Sequence, residues 1–141
     1  MNIYPDSSFL VSAYLIDRYS PDVMRRMATR PSILVTPFHR AELANAIFQQ
    51  VFRGRIKNSD ALTACDNFER DCAAGVWILV DLPKKSFTTS INLARQRVAT
   101  LGVRTLDTLH VAAALELQAD QLWTFDERQK KLAEAEGLAT N

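Results

Sequence analysis

Four carboxylates, Asp6, Glu42, Asp107 and Asp126, stand where a parallel α/β fold would gather them. Asp6 follows the short run Asn2-Ile3-Tyr4, and Asp126 follows Gln121-Leu122-Trp123-Thr124-Phe125. Glu42 falls in a helical segment after Ile33-Leu34-Val35, and Asp107 opens an apolar helix. Ligands of open α/β sheets bind at the carboxyl ends of the strands, where the next helices begin, so acids distant in sequence can converge there. Like charges brought together need a cation. An acidic set with no cysteine and little histidine suits the hard, oxygen-preferring ions Mg²⁺ or Mn²⁺ rather than zinc or copper. Such an ion ionises water and neutralises charge building on a phosphodiester, alone or as one of a pair.

Each acid also has a bland account. Asp6 fits the cap of a helix starting at Ser7, Asp107 is a suitable anion for a first helical turn, and Asp126 with Gln129 has the spacing of a capping box. Glu42 shares a polar stripe with Asn45, Gln49 and Arg53 that could simply face water. The functional reading gains weight because all four are expected at one edge of one sheet, where independent caps would accumulate only by coincidence.

The elements that must position these acids can be read from periodicity. Gly54, Gly75, Gly102 and Gly137 each follow a segment of helical pattern, as glycines that end helices do. Helices are expected at about 7–16, 37–53, 58–74, 84–101, 107–118 and 127–136, with a shorter one near 22–29. Strands are expected at 2–4, 33–35, 76–81 and 121–125, with a weak edge strand at 138–140. Alternation of the two predicts a layered α/β domain with a mainly parallel sheet over residues 1–141. In the helix after Asp107, the stripe Leu106, Leu109, Ala113, Leu117 and the further apolar Val111, Ala112, Ala114 and Leu115 predict burial on several sides. An ionised Asp107 would then be costly unless paired or metal-bound. Phe48, Phe52 and Phe68 are expected in the core, with a partner groove as the lesser alternative.

Composition bounds the remaining choices. A chain of 141 residues with 48% hydrophobic and 23% charged residues suits one soluble globular domain. No apolar stretch approaches the ~20 residues of a spanning helix, and no secretory signal is visible at the N-terminus, so a cytoplasmic location without membrane contact is expected. Cys65 and Cys72 lie seven residues apart in one predicted helix, roughly 10 Å along its axis, and are expected as reduced packing residues. The net charge of +1 does not advertise a nucleic-acid partner. With the four carboxylates set aside as cation ligands, however, 17 basic residues face the remaining 12 of 16 acidic ones, enough for a phosphate-attracting rim.

The segments Asp6-Ser7-Ser8, Ala41-Glu42-Leu43, Arg104-Thr105-Leu106-Asp107-Thr108-Leu109-His110-Val111-Ala112-Ala113-Ala114 and Thr124-Phe125-Asp126 resemble, in order and spacing, the PIN domain, specifically the VapC toxins of bacterial toxin-antitoxin pairs. The resemblance spans essentially the whole chain. It implies a three-layer α/β/α domain with a short sheet flanked by helices, and a Mg²⁺- or Mn²⁺-dependent endoribonuclease whose metal-holding and catalytic acids map onto Asp6, Glu42, Asp107 and Asp126. It further implies a homodimer and an antitoxin protein that occludes the site. Some family members carry Asn where Asp126 stands. Ser7 and Thr124 adjoin the acids and can orient carboxylates or metal-bound water, or cap a helix or strand end. His110, one turn from Asp107, is expected in the core or behind the acids rather than as a ligand.

Rival chemistries draw on the same residues. His39/Glu42 and Asp107/His110 have i,i+3 spacing that a transition metal could use. Ser7, His110 and Asp107 could compose a hydrolytic triad, although no Gly-x-Ser-x-Gly elbow is present. A phosphate-accepting aspartate at a strand end is a third, weaker choice. The non-enzymatic alternative is a catalytically silent PIN-like module that binds RNA or protein.

Overall fold

The computed structural model describes Met1–Asn141. Its apolar runs form five strands, β1 (Asn2–Pro5), β2 (Ser32–Val35), β3 (Ile78–Leu79), β4 (Gln121–Trp123) and β5 (Ala139–Thr140). The sheet order is β3-β2-β1-β4-β5, and every pairing is parallel. Seven helices flank it: α1 (Ser7–Tyr14), α2 (Ser20–Met27), α3 (Pro37–Phe52), α4 (Asn58–Ala73), α5, α6 (Thr105–Glu116) and α7 (Glu127–Ala135). Helix α5 runs from Lys85–Leu93 through a π-type turn at Ala94–Val98 into Ala99–Leu101.

Alternating side chains along the strands face two separate cores, as the two-residue period of a strand requires. Ile3, Ile33, Val35 and Trp123 face a cluster built with Phe9, Leu43, Ile47, Ala64 and Phe68 from α1, α3 and α4. Tyr4 and Leu122 face the opposite cluster, in which α6 contributes Val111, Ala112, Ala113 and Ala114. Small residues there let α6 lie close to the sheet.

The order of the strands decides where a site can form. The chain builds outward from β1 to β2 and β3, then crosses to the other side of β1 for β4 and β5. Such a reversal leaves a crevice at the carboxyl ends of the strands flanking it. Asp6 is the first residue beyond β1, and its backbone N–H donates to the Trp123 carbonyl at 2.9 Å, extending the β1–β4 ladder into the crevice.

Several expectations change. Strand β3 is two residues long at the sheet edge with Ile78 and Leu79 exposed, because only one strand pairs with it. Leu106 is 49% exposed and Asp107 only half-buried, so the burial of α6 begins at Thr108, after Asp107. Phe68 is buried, whereas Phe52 is 88% exposed and Phe48 is also exposed. On α3 the inward stripe is Leu43, Ile47 and the half-buried Val51, and Phe48 and Phe52 sit one position on, turned to solvent. The four glycines all have positive φ near helix ends, as expected. The chain also takes the left-handed conformation after α2 and α6 at Arg30 and Gln118, which no glycine signals.

Candidate active site

Asp6 is anchored from three directions. Ser8 Oγ donates to its Oδ1 at 2.6 Å, the Phe9 N–H donates to Oδ1 at 3.0 Å, and Thr124 Oγ1 donates to Oδ2 at 2.6 Å. The carboxylate therefore caps α1 and is tied to the end of β4 at once. Burial pushes its carboxyl above the ordinary value; the bonds from Ser8, Thr124 and Phe9 and the charge of His110 offset this only in part.

Glu42 lies in the second turn of α3, which starts at a fixed point. His39 is fully buried; its Nδ1 accepts from the Thr36 N–H at 3.0 Å, and its Nε2–H donates to the Pro5 carbonyl at 2.7 Å. The ring thus clips the start of α3 to the end of β1, which sets Glu42 within reach of Ser7, the residue after Asp6. Burial, and secondarily the charge of His110, lowers His39 to about 3, so it stays neutral. On Glu42 itself, Ser7 Oγ donates to Oε1 at 2.5 Å and His110 Nε2 bonds the same oxygen. Burial alone would raise the Glu42 carboxyl, but the His110 hydrogen bond and charge, with the Ser7 hydroxyl, outweigh it and hold the group below its usual range. His110 is in turn held by the buried Tyr4 hydroxyl at Nδ1, 3.0 Å away, and by Phe38, whose ring lies 4.4 Å from it.

The other two acids are more open. Asp107 Oδ2 accepts the Arg104 N–H at 2.9 Å, which caps α6. Asp126 Oδ1 accepts from the N–H groups of Arg128 and Gln129 at 2.8 and 3.0 Å, which caps α7. Both line one open cleft of about 430 Å³ with Arg104, Phe125, Glu127 and Arg128. The cleft connects to the buried acids through Thr124, whose Oγ1 accepts the Asp126 N–H at 2.9 Å while donating to Asp6.

The capping roles foreseen for Asp6, Asp107 and Asp126 are therefore present, and Ser7 and Thr124 each touch an acid. His110 contacts Glu42 rather than Asp107. The rivals fare worse. Both ring nitrogens of His39 and of His110 have partners within the protein, which leaves none for a transition metal. Ser7 is 3.4 Å from His110 Nε2, and the other ring nitrogen faces Tyr4, so Asp107 completes no triad. Tyr4, Ser8 and Phe38 were missed by sequence reasoning. Ser8, two residues after an aspartate, carried a local signal; Tyr4 and Phe38 carried none, because only folding brings them to His110.

The donor chemistry fits a hard cation, since all four acids offer oxygen and Mg²⁺ binds through one or two carboxylates with water filling its remaining positions. The incompletely compensated Asp6 is the residue most in need of one. No three acidic, histidine or cysteine side chains stand close enough to grip one ion together, and Glu42 is turned to His110.

The PIN domain pattern matches residues 3–135. No curated protein matches the chain in sequence. Among solved structures, the Mycobacterium tuberculosis toxin VapC20, described as cleaving the sarcin-ricin loop, superposes with a TM-score of 0.73 at 14% identity, covering 97% of this chain and 96% of that one. VapBC2 from Rickettsia felis, bound to promoter DNA, gives 0.69 at 17% identity, covering 100% and 98%. FitAcB from Neisseria gonorrhoeae gives 0.67 at 13% identity, covering 98% and 95%. At such identities the likeness is one of fold, and the match over nearly the whole sequence supplies the family: the chain belongs to the PIN-domain family.

Proposed function

We propose that this protein is a divalent-metal-dependent endoribonuclease, acting as the toxin of a toxin-antitoxin pair and neutralised by an antitoxin protein that covers its acidic cleft. The observation that carries the reading is the linkage of acids from separate elements at the strand-order reversal: Ser7 contacts Glu42 directly after Asp6, and Thr124 joins Asp6 to the Asp126 turn. Fold likeness to VapC20, a toxin described as cleaving the sarcin-ricin loop, supports the substrate class. Likeness to VapBC2 and FitAcB supports the toxin-antitoxin context, and a homodimer belongs to the same proposal.

Asp6, Glu42, Asp107 and Asp126 are the residues to hold Mg²⁺ or Mn²⁺. Bound there, the ion would supply an ionised water and neutralise charge on the phosphodiester. The chain's own contribution is orientation. Ser8 and Thr124 fix the Asp6 carboxylate, Ser7 and His110 fix Glu42, and Tyr4 fixes His110. Arg104 and Arg128 beside Asp107 and Asp126 provide positive charge for phosphate.

One observation favours a second reading, a silent RNA- or protein-binding module: no three of the acids stand together, and Glu42 is paired with His110. Incubating total bacterial RNA with wild type and Asp107→Asn, in Mg²⁺, Mn²⁺ or chelator, and sequencing new ends, decides between them. New ends only with wild type and metal are expected. RNA retained but uncut by both proteins would favour the silent module.

A further inference from the structure

Beside the acidic cleft the aromatic packing changes character. Aromatic pairs in the core are inclined, with Phe9 and Trp123 at 49° and Tyr14 and Phe68 at 87°, as edge-to-face and tilted pairs commonly are. Tyr19 and Phe125 instead lie parallel, 4° apart in plane with centroids 4.2 Å apart. Phe125 continues the stack inward to the buried Phe9, 6.0 Å away at 19°. The Arg18 guanidinium continues it outward, 4.6 Å over the Tyr19 ring, with NH2 2.5 Å from the Tyr19 hydroxyl. The result is a stack of rings running from the buried Phe9 to Tyr19, with the exposed Arg18 guanidinium over its outer ring.

The outer end of the stack is tied down by hydrogen bonds. Asp17 Oδ1 accepts from the N–H groups of Tyr19 and Ser20 at 2.8 and 3.1 Å, and Ser12 Oγ donates to Asp17 Oδ2 at 2.7 Å. Its middle layer, Phe125, lies between Thr124 and Asp126 and forms part of the cleft wall. Arg18, Arg104 and Arg128 are exposed, and none forms an ion pair; those pairs belong to Arg25, Arg26, Arg40, Lys85, Arg97 and His110. A ring stack topped by an exposed guanidinium, with cations free of ion pairs around the adjoining cleft, has the chemistry of a single-strand binder: bases stack on aromatic and arginine planes while cations follow the phosphates.

Resting on the nuclease reading for the identity of the nucleic acid, we infer that Arg18, backed by Tyr19 and Phe125, is a stacking platform for one unpaired base of single-stranded RNA and positions that strand over the Asp107–Asp126 cleft. Duplex RNA offers no open base face along its length, so the platform selects single strands.

The test uses fluorescence anisotropy in EDTA, where metal-dependent cutting is absent. The probes are a labelled 12-nucleotide single-stranded RNA of mixed sequence and a duplex RNA of the same length, against wild type, Arg18→Ala, Arg18→Lys and Tyr19→Leu. Thermal melts accompany each variant, and the exposed Arg18 substitutions keep the test valid should Tyr19→Leu lose its fold. Wild type should prefer the single strand. Arg18→Lys should weaken single-strand binding roughly fivefold to a hundredfold, the range for stacking one base, and should leave duplex binding unchanged because the charge remains. Rescue by lysine would reduce Arg18 to a phosphate contact and overturn the platform, as would equal binding of duplex and single strand or no RNA binding by wild type. The readout needs no cleavage. A protein that never cuts yet shows the arginine-specific loss refutes the nuclease alone, and one that cuts normally but is indifferent to Arg18→Lys refutes the platform alone.

Discussion

Asp6 and Glu42 form the inner half of the acidic edge, Asp107 and Asp126 the outer half, and the halves are built differently. Inner carboxylates are held by side chains from distant elements, in addition to the local bonds by which Asp6 caps α1: Thr124 is 118 positions from Asp6, and His110 is 68 from Glu42. Outer carboxylates are held by backbone N–H groups two or three residues away. The inner pair therefore exists only in the folded sheet, and both of its carboxyls are shifted: burial carries Asp6 upward, while on Glu42 burial is outweighed by His110 and Ser7, which hold it down. The outer pair would be capped wherever its helices formed, and it faces solvent. The comparison teaches that a helix cap and a metal-binding acid can be one residue, with the two roles separable by experiment.

The largest expected effect lies at Asp6. Asp6→Asn should abolish RNA cleavage while the metal-free protein at pH 7 melts at the same temperature or higher. The folded Asp6 carboxyl is raised above the unfolded value of 3.8, so its stabilising contribution is complete below that value and disappears as pH rises through the folded one. The variant's advantage should accordingly close on acidification. Calorimetry against pH checks this, and a variant less stable at pH 7 would show that the carboxylate is fully compensated by its hydrogen bonds.

Next comes the support of Glu42. His110→Ala should lower cleavage tenfold to a hundredfold, the usual effect of removing a residue that orients a metal ligand. Asn45→Ala, on the exposed continuation of the same helix face, should leave it unchanged. Equal rates for wild type and His110→Ala would deny the inner pair its dependence on distant partners.

His39 gives the inner half a pH dependence of its own. With the folded value near 3 and the unfolded one near 6.5, its stabilising contribution is complete above pH 6.5 and is lost as pH falls toward 3. Roughly 2 kcal/mol should be gone at pH 5. Denaturant titrations at pH 7 and 5 measure it, and His39→Gln, though less stable at both, should lose this part of the slope.

The smallest effect separates the roles of Asp126. Asp126→Ala should cost about 1 kcal/mol as a lost helix cap. Asp126→Asn should restore stability, since Asn caps as well as Asp. If Asp126→Ala, assayed below its melting temperature, keeps full cleavage, the outer acid is a cap alone; if Asn restores stability but not cleavage, the carboxylate has a second role.

What could be read from sequence followed the range of the interaction. The extents of α3, α4 and α5 were legible because helical periodicity and a closing glycine act within a few residues. Asp126 as the cap of α7 was legible for the same reason. Phe48 and Phe52 were misread because residue type does not say which stripe of α3 meets α4. Leu106 was misread because an apolar pattern continues one turn beyond the point where α6 leaves the core.

By itself, the sequence determined the alternation of strands and helices, the acids that follow them and the likeness to the PIN family, since hydrophobic period, turn residues and local caps are properties of neighbouring positions. Tertiary structure alone decided that β1 stands between β2 and β4, that His39 clips α3 to its end, and that Glu42 meets Ser7 and His110. Those contacts depend on how twisted strands and packed helices close over two cores, and no local pattern encodes the distances that result.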